Sequence, residues 1–270
     1  MRFGLRRGRD PEIGALVIAA TAFAVVLPMA VAAGQLSDLS DLELWPFFLI
    51  GLLVPGLSQV LFTQAVRKTG ASRTAILIGT APLFSALLAV ALLDEPVRAG
   101  LVAGTVVVVA GGMALARERA RPEGWHVLGV VLAVVCAALF GVRDNVVRWA
   151  AERDANSEVL AATTATLLAA MMFTLGWVLA RRRRGLVAEL RYSIPAFAPA
   201  GVALGLAYAS IVVALDRGRV TVVAPLNATQ SLWGVVLAAL LIGRAEMIGR
   251  RTVVAGVLVV AGAVLIGATR

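Results

Sequence analysis

The chain has 270 residues, of which 60% are hydrophobic and only 15% charged, with a mean hydropathy of +0.90 and a formal net charge of +9. That composition excludes an ordinary soluble domain and reads as an integral membrane protein. In a soluble chain the basic excess would suggest nucleic acid; here the arginines flank apolar runs and serve as topology signals, so no nucleic-acid partner is expected.

In chain order the apolar runs are 13–33, 45–66, 74–93, 99–116, 125–142, 159–180, 194–215, 220–242 and 252–268. Each is long enough, at roughly 17 to 23 residues, to cross a hydrocarbon core of about 30 Å as a helix that satisfies its own backbone hydrogen bonds. The expectation is an all-α membrane protein, a polytopic helical bundle of nine transmembrane helices with short connections. The first run follows Arg2, Arg6, Arg7 and Arg9, but its leader also carries Asp10 and Glu12 and its apolar part is long. It reads as an uncleaved span rather than a secretory signal. Cys136, the single cysteine, lies inside a run, so no disulfide framework is expected.

Sliding the chain by 149 residues lays 56–93 on 205–242 without a gap, with ten identities that include Gly56/Gly205, Ala75/Ala224, Thr80/Thr229 and Leu88/Leu237. The same register puts a turn on a turn, and after two further residues an acidic exit on another, Glu95 on Glu246. The chain therefore reads as two repeats, 1–120 with four helices and 121–270 with five. Arg153-Asp154, before the second helix of the later half, matches Arg9-Asp10 at an offset of 144. This places the counterpart of helix 125–142 ahead of Met1, and makes the opening segment the counterpart of the loop 143–157.

The stretches ASRTAILIGTAPLFSALLAVALLDE (71–95) and GRVTVVAPLNATQSLWGVVLAALL (218–241), each followed by a glycine-spaced last helix at 104–112 and 256–263, resemble the EamA-like transporters of the drug/metabolite transporter superfamily. The resemblance implies two inverted five-helix repeats, here 4+5, and a central cavity lined by the third and fourth helices of each. It departs at Ser231, which stands where Pro82 does, and at the absent first helix.

Polar residues inside spans are costly unless they face a cavity or a partner. The candidates for substrate contact are Gln59, Thr63, Thr80, Tyr208, Asn227, Gln230, Ser231 and Trp233. The amides carry donors and acceptors that their own helix cannot satisfy, whereas a hydroxyl can instead bond back to its own helix. Tyr208 and Trp233 could stack on a substrate. Pro82 and Pro225 sit within spans and are expected to kink them. Asp144 and Arg148 have the spacing of an ion pair, and Arg143 or Asn145 could stand at a cavity mouth. The glycine spacings Gly100/Gly104 and Gly201/Gly205 read as close packing inside the bundle.

His126 is the single histidine, and no ligand spacing or phosphate-cradling loop occurs, so neither an enzyme nor a metal or cofactor is expected. The deep parts of the spans lack a carboxylate or histidine for proton coupling. The reading is a transporter of a small metabolite, neutral or zwitterionic such as an amino acid, in a bacterial inner membrane, working by alternating access. The alternatives are a lipid-linked carrier flippase and a truncated, non-transporting chain. Loops on the side of the N-terminus hold eighteen lysines and arginines against seven on the other, which puts Met1 in the cytoplasm; the resemblance implies an outside start. Substrate, direction and oligomeric state are not written in the sequence.

Overall fold

The computed structural model describes residues 10–35, 44–92, 97, 99–116, 126–153, 158–181, 185–217, 229–242 and 249–268. Every predicted run holds helix, and no strand occurs among the described residues. The helices are α1 (Pro11–Ala32), α2 (Trp45–Gly51), a π-helical stretch Leu52–Leu57, α3 (Ser58–Thr69), α4 (Ala71–Ile78), α5 (Ala81–Leu92) and α6 (Ala99–Ala116). They continue with α7 (Val127–Arg153), α8 (Val159–Arg181), α9 (Leu186–Arg217), α10 (Gln230–Ile242) and α11 (Arg250–Ala268). Among the described residues seven helical segments are long and apolar enough to cross a membrane, and Ala99–Leu115 is a shorter apolar one. This is an all-α membrane protein.

Local chemistry explains where the helices begin and end. Asp10 caps α1 by accepting from the backbone N–H of Glu12 and Ile13 at 2.7 and 3.3 Å, and Pro11 occupies the first helical position, where no donor is lost. The helix therefore starts ahead of the apolar run predicted from 13. Helix α7 continues eleven residues beyond the run that ends at 142, because 143–153 contains neither Gly nor Pro. The end of apolarity marks the edge of the membrane, not the end of the helix. Helix α9 likewise starts eight residues before 194, straight after Gly185, whose φ of +74° is a conformation that glycine adopts without strain.

Two predicted spans are interrupted. In 45–66 the break is at Val54, with φ −139° and ψ 112°, just before Pro55; a residue preceding proline is pushed out of the α region. In 74–93 the chain leaves α4 at Ile78, turns through Gly79 and Thr80, and re-enters helix at Ala81, so Pro82 occupies the second position of α5.

The helices group into two compact units that do not follow the sequence halves: one comprises Met1–Thr63 with Val146–Arg217, the other Gln64–Asn145 with Gly218–Arg270. In the first unit α1 lies on α9 through glycines. A side chain at Gly201 would meet Thr21 Cβ at 2.6 Å, one at Gly205 the Ala22 carbonyl at 2.8 Å, and one at Gly14 the Phe197 ring at 2.8 Å. Bare backbone here lets the helices touch.

In the second unit α6 and α11 form a glycine seam. A Cβ at Gly104 would lie 2.6 Å from the Gly262 carbonyl, one at Gly262 2.7 Å from the Gly104 carbonyl, and one at Gly111 3.0 Å from the Ala255 carbonyl. The offset of 151 that pairs Glu95 with Glu246 maps 104 onto 255 and 111 onto 262. It therefore carries the contact between 104 and 262 onto the contact between 111 and 255. Reciprocal contacts of this kind are what two-fold related repeats produce.

Candidate functional site

In the first unit the interrupted span runs beside α8. Thr166 donates its hydroxyl to the Phe47 carbonyl at 3.2 Å, Gly51 sits against the Thr166 backbone, and Gly56 against Phe173, where an added Cβ would stand 3.2 Å from Phe173 Cβ. Past the interruption, α3 makes little contact with α8. Gln59 adjoins Val60. It is only 7% exposed, and its side-chain amide has no hydrogen-bond partner among the described residues. The amide is not among the fully buried, unpaired polar atoms, so it keeps some accessible surface.

Trp177 is part of a column on α8. Phe173, one turn earlier, stacks on it with ring centroids 5.9 Å apart, and the Arg181 guanidinium, one turn later, lies 4.3 Å from the centroid of its ring. Arg181 Nη1 donates to Glu12 Oε1 at 2.8 Å; the Glu12 side chain is 12% exposed and that of Arg181 55%. The indole Nε1 is buried and unpartnered.

The structure treats the other predicted residues differently. The Thr63 hydroxyl donates to the Gln59 and Val60 carbonyls at 3.0 and 2.9 Å, so its proton is spent on its own helix. Tyr208 is buried in an apolar cluster with Ala22, Val26 and Leu167. In the second unit Thr80 donates to the Leu77 carbonyl at 2.6 Å within the turn between α4 and α5. Gln230 and Trp233 lie on the first turn of α10 and are exposed, Trp233 by 63%. Asn227 and Pro225 lie outside the described residues, as do the side chains of Ser231 and Arg148.

Asn145 is occupied structurally. Its Nδ2 donates to the Ser85 carbonyl, the Ser85 hydroxyl and the Gly141 carbonyl at 3.1, 3.1 and 2.8 Å, fastening α7 to α5. Gly141 allows the approach, since a Cβ there would lie 2.7 Å from the Ser85 backbone nitrogen. Arg143 donates to the carboxylate of its neighbour Asp144 at 2.7 Å and lies 4.9 Å from the Phe140 ring centroid.

Two features were not singled out from the sequence. Pro55 breaks its span by the same chemistry expected of Pro82, and the signal VPG was there to read. Trp177 sits one turn from the charged end of its run and passes for an ordinary interfacial aromatic; only its unbonded, buried nitrogen distinguishes it. Three other threonines of α8 ask for no partner outside their own helix. Thr163, Thr164 and Thr174 each bond back to the carbonyl four residues earlier, at 2.8, 2.7 and 2.9 Å, which is how hydroxyls are commonly satisfied in an apolar helix.

Among curated proteins none matches this chain significantly. Fourteen chains of solved structures do match, and one, titled only "Crystal structure of protein", shares 18% identity at a TM-score of 0.66 over 98% of this chain and 89% of its own. At that identity the likeness is one of fold. The family described as the EamA-like transporter family matches at residues 3–117 and again at 127–268, nearly the whole sequence in two successive segments. With its paired apolar repeats and its glycine-seamed helices, the chain belongs to the EamA-like transporter family.

Proposed function

We propose that this membrane transporter moves a small neutral or zwitterionic metabolite, an amino acid being the leading class, by alternating access between repeats 1–120 and 121–270. We place it in a bacterial inner membrane. The observation that carries the reading is Gln59, a residue only 7% exposed beside an interrupted helix, whose side-chain amide has no hydrogen-bond partner among the described residues. An uncharged group that gives and takes hydrogen bonds suits a neutral or zwitterionic solute better than a strongly charged one. The flippase alternative needs arginines free to meet a head group, and Arg143 is already paired with Asp144.

The test is amino-acid counterflow in proteoliposomes holding the full chain, with Gln59→Ala and Asn227→Ala. Loss of one such contact is expected to raise the half-saturation concentration by about tenfold. Equal transport by the wild type and both variants would remove these residues from the site.

A further inference from the structure

We propose that the end of the second unit where α11 begins binds an anionic phospholipid, with its phosphate on Arg250 and Arg251 and its acyl chains along the exposed apolar stripe of α11.

Three helices of that unit start at about one level. His126 donates its backbone N–H to the Lys68 carbonyl at 3.1 Å, and a Cβ at Gly129 would lie 2.6 Å from Lys68 Cβ, so α7 begins beside the turn between α3 and α4. A Cβ at Gly256 would lie 3.6 Å from Ile76 Cγ1. These two residues stand six and five places past the first residues of α11 and α4, so those helices also begin at a similar depth. The turn carries Arg67, Lys68 and Arg73, and α11 opens with Arg250 and Arg251. Segments 67–73, 117–126 and 244–251, which the alternation of spans puts on this side, hold nine lysines and arginines against three glutamates. Such an excess, gathered from segments far apart in the sequence, attracts anions from outside the chain.

The surface directly beneath the arginines separates a lipid from a soluble anion. Arg250 is exposed and has no hydrogen-bond or ionic partner among the described residues. It heads a stripe at helical spacing, Val253, Val254 and Val257, which are 46, 43 and 50% exposed. At the same level across the seam, where Gly111 meets the Ala255 carbonyl, α6 exposes Met113, and a Cβ at Gly112 would have nothing within 4 Å. A basic group at the head of an apolar strip matches a molecule that is charged at one end and apolar along its length. The guanidinium offers several N–H donors to phosphate oxygens, and salt screens such a pair less at the edge of the hydrocarbon than in open water. An anion without chains would leave the strip untouched.

The test is native mass spectrometry of the full chain in detergent, offered phosphatidylglycerol or phosphatidylcholine with the same acyl chains. Retention of phosphatidylglycerol is expected to exceed that of phosphatidylcholine by about tenfold. Arg250→Gln with Arg251→Gln is expected to bring the ratio to within about twofold, and Arg250→Lys with Arg251→Lys to keep most of it. Arg191→Gln, which removes an exposed arginine of the other unit, is expected to leave the ratio unchanged. Glycerol phosphate, which offers a phosphate without chains, is expected not to compete for the wild type. Four results overturn the inference: equal retention of the two lipids by the wild type, an unchanged ratio in the double glutamine variant, a loss as large in Arg191→Gln, or displacement of the lipid by glycerol phosphate.

Discussion

At the scale of the residue, what separates one polar side chain from another is whether its hydrogen bonds are already made. Thr63 and Thr80 are polar and lie within spans, yet each hydroxyl proton is given to a carbonyl of its own helix. Gln59 and Trp177 keep theirs. Residue type alone cannot report this, because back-bonding depends on rotamer and on the approach of neighbours. Asn145 shows the opposite outcome. A residue legible only as a candidate for a cavity mouth turns out to hold two helices together, with three acceptors in reach of one amide nitrogen. Asn145→Ala is therefore expected to destabilise the protein by about 1 to 2 kcal/mol. Thermal unfolding in detergent would show a midpoint lower by about 2 to 6 °C. In a double-mutant cycle Ser85→Ala should be clearly non-additive with it, since the two share a bond; additivity would mean the bond contributes nothing.

At the scale of the element, hydropathy located the helices and proline chemistry located their weak points, though not all of them. The rule that anticipates a break near Pro82 applies equally to Pro55, where Val54 leaves the helical region. The helix ends were less legible, because membrane thickness limits the apolar run while the helix itself stops at the first unfavourable backbone. Glycine is where sequence spacing and packing can be compared directly. At Gly104 a Cβ would stand 2.6 Å from the Gly262 carbonyl, whereas Gly112 has nothing within 4 Å. Both residues lie on α6, so they form a matched pair. Gly104→Val is expected to cost several kcal/mol, as a backbone cannot yield to the added carbons without separating the helices. Gly112→Ala should be neutral or slightly stabilising through its better helix propensity. Size-exclusion profiles of the detergent-solubilised variants, with their unfolding midpoints, decide it: equal behaviour would show that the seam is not tight.

At the scale of the molecule, Glu12 at the start of α1 and Arg181 at the end of α8 are joined, so those two helix ends lie on one side of the membrane. That is the side on which the loops carry eighteen basic residues, and the charge bias predicts that it is cytoplasmic. In a Cys136→Ala background, Arg181→Cys is expected to react with a membrane-impermeant maleimide in inverted vesicles and not in right-side-out ones. The reverse pattern would reject the charge argument in favour of the outside start that the family resemblance implies. The class of the protein, its helical runs, its internal repeat and its kinship were all determined by the sequence itself. Apolarity, proline chemistry and repeated spacing are properties of short stretches, and no folded partner is needed to read them. Only the tertiary structure decided that each compact unit draws helices from both halves, that Asn145 is spent on packing, and that Gln59 and Trp177 remain unbonded. Those outcomes depend on which distant helices come within a few ångströms of each other, and therefore on glycines whose role appears only once the opposing backbone is in place.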